Sequence, residues 1–150
     1  MSDDWIVLVP DDPRYVPGED RQERSRQRLS EMAPDADEVE CVNSKCVQFF
    51  DNGSNLEVVR CPQCKSEIST DWWGKRMDDD YKDGFRLASY EMPCCKSSLS
   101  LDQLIYDWPI AFGRFALSAR NPDMRQIQHE QVSELGALLD CRLITIRRHI

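Results

Sequence analysis

The chain has 150 residues, 41% hydrophobic, 31% charged and 9% aromatic, which is enough apolar surface for a core and unlike a disordered, collagen-like or membrane-embedded composition. With 27 acidic against 19 basic side chains the formal charge is -8, which opposes long-range attraction to nucleic-acid phosphates or anionic lipid and favours a basic partner. The longest early apolar run, Trp5 to Val9, is bracketed by Asp3, Asp4 and Pro10; it is too short to span a bilayer and lacks the basic flank of a signal peptide, so a cytoplasmic protein is expected.

Trp5 to Val9 is apolar at every position, as in a strand covered on both faces, and Pro10, Pro13 and Pro17 then give an extended loop. From Gly18 to Ala33 strong helix formers run without internal proline, with a short apolar stripe at Leu29, Met32 and Ala33 before Pro34 stops the helix. Arg14, Arg21, Arg24, Arg26 and Arg28 crowd this region. Asp20 with Arg24 and Arg28 with Glu31 stand at helical spacing, so the cluster reads as a solvated, ion-paired helix.

Glu38 to Phe50 is strand-like, with Asn43-Ser44 placed to bend or bulge it. Asp51-Asn52-Gly53-Ser54 reads as a hairpin turn returning in a strand over Leu56 to Val59. Trp73, Met77 and Tyr81 recur every four residues between Asp71 and Lys82, as on one helix face, with Gly84 placed to cap the end. Phe85 to Met92 reads as extended. Ser100 and Gln103 fit a capping box opening a short helix with Leu101, Leu104 and Ile105, which ends near Tyr106-Asp107-Trp108-Pro109. Phe115, Leu117 and Ala119 alternate with Arg114, Ala116 and Ser118, predicting a half-buried strand. Asn121-Pro122 reads as the cap and first position of a last helix with Met124, Ile127, Leu135 and Leu138 on one face, and Leu143 to Ile146 as a closing strand.

Strand, Asp-Pro loop, helix and strand at the start are echoed by strand, Asn-Pro turn, helix and strand at the end. The expected fold is α+β: a ferredoxin-like (split βαβ) antiparallel sheet with both helices on one face. Residues 1–56 and 108–150 form this body within a single domain, and residues 57–107 form an inserted, zinc-ribbon-like module with four cysteine ligands.

Seven cysteines are an odd number, and without a secretory signal metal binding is a better use for them than a disulfide framework. Cys61-Pro62-Gln63-Cys64 and Pro93-Cys94-Cys95 suggest one tetrahedral zinc held by Cys61, Cys64, Cys94 and Cys95. Adjacent residues of an extended segment point to opposite faces, so Cys94 and Cys95 must share a tight turn to reach one metal. Cys41 and Cys46 are the competing ligands, but in a regular strand their odd separation sends them apart, which favours a plain strand role. Cys141 is expected to be a small buried hydrophobe.

Closing the chain between Cys64 and Cys94 costs on the order of 3 kcal/mol, while structural zinc supplies roughly 10 to 16 kcal/mol. The insert is therefore expected to fold around its metal. A four-thiolate site leaves no position open for water or substrate, so the zinc is structural. Two histidines are present; His129 is expected on the polar side of the last helix, and neither it nor His149 has a catalytic-metal spacing. No phosphate-cradling glycine loop, nucleophile elbow or dinucleotide fingerprint is found. Trp72, Trp73, Tyr81 and Trp108 build either the core of the insert or a binding surface, the core being favoured.

The run Cys61-Pro62-x-Cys64, Trp72-Trp73, Met77, Pro93-Cys94-Cys95, Leu101, Tyr106-Asp107-Trp108-Pro109, Phe112, Phe115 and Asn121-Pro122 resembles a group of small bacterial proteins to which no activity is attached. The likeness extends over nearly the whole chain, including the Trp5-Ile6-Val7-Leu8-Val9-Pro10 start and Pro34 to Val39. It implies that Cys61, Cys64, Cys94 and Cys95 belong to the shared pattern while Cys41 and Cys46 do not.

The expected function is a non-enzymatic interaction module with one structural zinc, binding another, basic protein in an immunity-type or regulatory role. Two other readings stay open. One is a small enzyme using carboxylates near Trp108 and His129 or a free thiol at Cys94 or Cys95. The other is a zinc-ribbon nucleic-acid binder, against which the net charge stands.

Overall fold

The structure is a computed structural model and describes residues 3–53, 58–107 and 109–149. In chain order its elements are β1 (Asp4–Pro10), α1 (Glu19–Met32), β2 (Glu38–Phe50), β3 (Val59–Arg60), β4 (Glu67–Ile68), α2 (Thr70–Asp80), β5 (Tyr90–Glu91), β6 (Ser98–Leu99), a 3-10 turn (Leu101–Gln103), β7 (Ile105–Tyr106), β8 (Ala111–Arg120), α3 (His129–Leu139) and β9 (Leu143–His149). It is a mixed arrangement of three helices and antiparallel sheets. Among the described residues no helix is long and apolar enough to cross a membrane.

Four strands form the main sheet in the order β2-β8-β1-β9, each neighbouring pair antiparallel. Successive side chains of a strand point to opposite faces, and the burial follows. Ile6 and Leu8 of β1 join Phe115, Leu117 and Ala119 of β8, Leu29 of α1, and Leu135 and Leu139 of α3 in one cluster. Val7, Val9, Ala116 and Ile146 form a second cluster with the register-matched pair Phe50 and Ala111. The expectation of a half-buried β8 is corrected by this: flanked on both sides and covered on both faces, β8 is buried at Ala111 to Gly113 and from Phe115 to Ala119.

The irregularity expected at Asn43-Ser44 is present as a register shift between Asn43 and Gln48. Arg114 Nε donates to Ser44 O at 3.1 Å inside it. The shift turns Val47 out of the sheet to bridge Phe85, whose N–H donates to Val47 O at 2.8 Å. Gly84 closes the joint: a Cβ there would sit 2.2 Å from Cys46 Cβ, and its φ of +134 suits glycine. Gly84 is thus a contact point with β2 and not the cap expected for α2, which ends at Asp80 with Tyr81 extended behind it.

The hairpin expected to return from Asp51–Ser54 over Leu56 to Val59 falls largely on residues 54–57, which lie outside the described set; among the described residues β2 takes β8 as its partner, and β3 pairs with β4 and β7. Two further expectations are overturned. The helix expected from Leu101 is only a 3-10 turn, although its Ser100–Gln103 capping box is present, and Ile105–Tyr106 is strand β7. Asn121-Pro122 does not open α3, which begins at His129 behind a Gln128 cap. Asn121 sits instead at φ +48, accepting from Asp4 N at 2.8 Å and donating to Asp37 at 2.8 Å and Asp3 at 3.0 Å. The side chain that would have capped a helix ties three chain segments together.

Helix α1 carries its arginines much as charge spacing suggested. Arg28 meets Glu31 at 3.1 Å and also pairs with Glu134 of α3, and Arg26 meets Glu23 at 2.5 Å. Arg24, however, donates to the carbonyl of Asp20 and not to its carboxylate. These pairs are solvent-exposed and contribute little to stability.

Asn121→Ala should destabilise the protein by about 1 to 3 kcal/mol in urea unfolding, because it removes three hydrogen bonds and leaves a Cβ residue at positive φ. Asn121→Gly should cost less than Asn121→Ala, since glycine relieves the backbone part of that loss.

Candidate metal centre

Cys61 and Cys64 lie in the turn between β3 and β4, and Cys94 and Cys95 in the turn between β5 and β6. The two turns are copies. In the first, Cys61 N donates to Ser66 O at 3.0 Å and Lys65 N to Cys61 O at 2.9 Å, with Lys65 at φ +66. In the second, Met92 N donates to Ser97 O at 2.8 Å and Lys96 N to Met92 O at 3.0 Å, with Lys96 at φ +64. Strand pairing repeats as well, Val59↔Ile68 and Arg60↔Glu67 against Tyr90↔Leu99 and Glu91↔Ser98.

The sequence signal for this repeat is Cys61-Pro62-Gln63-Cys64-Lys65-Ser66 beside Met92-Pro93-Cys94-Cys95-Lys96-Ser97. Ser69 and Ser100 match too, one capping α2 through Trp72 N and the other opening the 3-10 turn. Aligned this way, Cys64 corresponds to Cys95, while Cys61 corresponds to Met92. Both Cys61 and Met92 are fully buried in the same cluster with Val59, Ile68, Leu99 and Leu101. The second hairpin therefore lacks a thiol at its first position, and Cys94 inside its turn provides one instead. The turn also supplies the tight geometry that adjacent cysteines needed to converge.

The four sulfurs of Cys61, Cys64, Cys94 and Cys95 lie within 4.8 Å of one another, and this group can hold a metal ion. Cys61 Sγ and Cys95 Sγ are 3.7 Å apart. Four thiolates at about 2.3 Å from a tetrahedral ion stand about 3.8 Å apart, which the Cys61–Cys95 separation matches. Cys61 faces the core and the other three are exposed.

Local hydrogen bonding divides the thiols. The Ser66 side chain and backbone, then Cys94, pull Cys64 down to about 6. The Ser97 side chain and backbone hold Cys95 below its ordinary value, with Ser97 Oγ 3.1 Å from the sulfur. Desolvation and then its bonds to Cys64, Cys61 and Cys95 push Cys94 up to about 12. Four crowded thiolates repel one another, and a cation at their centre offsets that repulsion and lets all four ionise.

Asp80, at the end of α2, fixes the approach to the second hairpin. It is buried and accepts from Leu87 N at 2.8 Å, Ala88 N at 2.9 Å and Tyr90 Oη at 2.9 Å. Trp73 Nε1 donates to Tyr106 Oη at 3.0 Å, and Tyr106 donates to Leu101 O at 2.7 Å, joining α2 to the strand that returns beside β3. Trp72 and Trp73 pack partly buried against the cluster. Tyr81 is half exposed, and Trp108 lies outside the described residues. The repeat, Asp80, and the serines beside the thiols were not anticipated from sequence.

The remaining cysteines stand apart from this group. Cys41 is half-buried on β2, with its sulfur 3.5 Å from Gln22 O, and burial pushes it up to about 11. Cys46 packs against Gly84, and burial likewise pushes Cys141 up to about 11.

Cys94→Ser should lower metal affinity at least about tenfold, a loss that even outer-shell changes can cause. Adding Met92→Cys to that variant should restore binding, since residue 92 occupies the position of Cys61 in the matching hairpin. Competition with a chromogenic chelator measures both affinities.

Comparison of the chain with models of known protein families, with characterised proteins and with solved structures finds no match.

Proposed function

We propose that this protein is a cytoplasmic, non-enzymatic protein-interaction module of bacterial type, in which Cys61, Cys64, Cys94 and Cys95 hold one structural zinc ion. The observation that carries the reading is the convergence of four thiols at tetrahedral spacing from two matched hairpins. Zinc accepts four thiolates without demanding another geometry, and a site closed by four protein ligands has no place for substrate or activated water. What the metal supplies is folding free energy to the segment between β3 and β7. Four reduced thiols suit a reducing compartment. The half-buried Cys41 and Cys141, with thiols near 11, are poor nucleophiles at neutral pH.

The body is read as split βαβ, ferredoxin-like. Support comes from the β2-β8-β1-β9 order and from the succession β1-α1-β2 and β8-α3-β9 around it. The residue ranges 1–56 with 108–150, and 57–107, are the body and the metal-binding insert of one domain in this reading. The partner is another protein, and the charge of -8 favours a basic one at range, as for an immunity-type or regulatory binder.

Native mass spectrometry of protein purified without added metal should show one zinc per chain. Alkylation before denaturation should spare Cys61, Cys64, Cys94 and Cys95, and chelation should lower the melting temperature sharply. Iron in place of zinc, or rapid modification of Cys94 or Cys95 in the metallated protein, would overturn the metal assignment. Affinity capture from native lysate that yields no stoichiometric protein would overturn the interaction reading.

A further inference from the structure

The clearest unassigned feature lies at the opposite edge of the main sheet from β2. A groove of about 950 Å³ opens between α3 and β9, with Ile127, Val132 and Leu143 among its apolar lining and Arg142, Arg147 and His129 among its polar lining. In a chain with eight more acidic than basic residues, no carboxylate lines it. Neither Arg142 nor Arg147 is in an ion pair among the described residues. Arg147 donates to the carbonyl of Arg125, which leaves other guanidinium donors of its fork to meet an anion.

Among the described residues strand β9 pairs with one strand only, β1, over Leu143 to His149. Among those residues its outer edge carries backbone donors and acceptors without a strand partner. Arg142 and Arg147 are five positions apart, about 17 Å along an extended chain. The volume is at the upper end of ordinary small-molecule sites and is sufficient for a segment of about six residues.

We propose that this groove takes an extended segment of a partner protein, apolar at its centre with an acidic side chain towards each end, which adds to β9 as a fifth strand. The inference rests on the reading of the protein as an interaction module. Backbone bonds to β9 give the affinity, apolar side chains fill the floor against Ile127, Val132 and Leu143, and carboxylates reach Arg142 and Arg147. Charged side chains on an edge strand usually discourage strand addition; here their sign selects the guest. At physiological salt the Debye length is about 8 Å, so the groove's own arginines dominate the field at a docked segment over distant surface carboxylates. A partner with a basic body and an acidic docking segment satisfies both fields.

The test uses the full metallated chain and a pool of N-acetylated hexapeptides with Asp or Glu towards each end and Val, Ile, Leu or Phe between. Affinity selection should retain members that bind saturably, with amide-exchange protection appearing on β9. Arg142→Gln with Arg147→Gln, both at exposed positions, should weaken retained peptides about tenfold or more at unchanged melting temperature. Alternate N-methylation of the peptide should abolish binding. No saturable member, equal binding of Lys-for-Glu peptides, or undiminished binding after N-methylation would overturn the proposal. A lysate partner captured equally by the double variant would overturn the groove while leaving the interaction reading intact.

Discussion

The pairing of Phe50 with Ala111 is the constraint on which the rest of the molecule depends. Strand β2 ends and strand β8 begins at this register-matched pair, so the chain between them leaves the sheet and returns to the same point. Closing a loop of that length costs on the order of 4 kcal/mol before any contact is made. The antiparallel β2–β8 ladder offsets this cost, and an aromatic seam at its base adds to the offset. Phe49 and Phe112 lie 5.1 Å apart, Phe85 and Phe112 5.3 Å, and Phe49 and Trp73 6.2 Å. Val47 and Phe112 are buried in the same cluster as Cys61, Met92 and Leu101. The cysteine segment is therefore not an independent body with a thin core, because it borrows part of its core from the sheet that launches it.

Within that segment the hairpins have only two-residue strands, too short to hold themselves together. Each places a lysine at positive φ, an arrangement that costs of order 1 to 3 kcal/mol where no glycine is used. Bringing four sulfurs within 4.8 Å adds repulsion once they ionise. A cation of suitable size relieves the repulsion and links both turns at one point. The two hairpins share one hydrogen-bond pattern, and Met92 is buried where the second lacks its thiol: the apolar position is retained while Cys94 brings the fourth sulfur from the turn.

Much of this could be read from the residues because local chemistry settles it. The apolar run at Trp5–Val9, the proline-free stretch ending at Pro34, the Ser100–Gln103 box and the bulge at Asn43 all act through neighbours in sequence. Long-range competition was not legible. Asn-Gly at 52–53 is a strong turn signal, yet β2 pairs with β8, whose row from Phe115 to Ala119 offers far more apolar area than a two-residue β3. Asn121-Pro122 resembles a helix start until Asp3, Asp4 and Asp37 arrive from other segments to occupy its side chain. For the candidate site, Cys61 and Cys64 were evident from their spacing. Cys94 and Cys95 depended on a turn that is clear only when Met92 to Ser97 is set beside Cys61 to Ser66.

The two edges of the main sheet end up with different tasks. At β2 the register shift directs Val47 to Phe85 and fastens the cysteine segment, so the four-cysteine group is anchored to the sheet there. At β9 nothing comparable covers the outer side among the described residues, and the cationic groove lies beside it. None of the four clustered cysteines lines the groove. Coupling between the edges therefore has to pass through β8 and β1, both mostly buried and each paired with a strand on either side. Such strands resist small displacement, so metal loss should act on recognition through loss of folded protein and not through graded change in the groove.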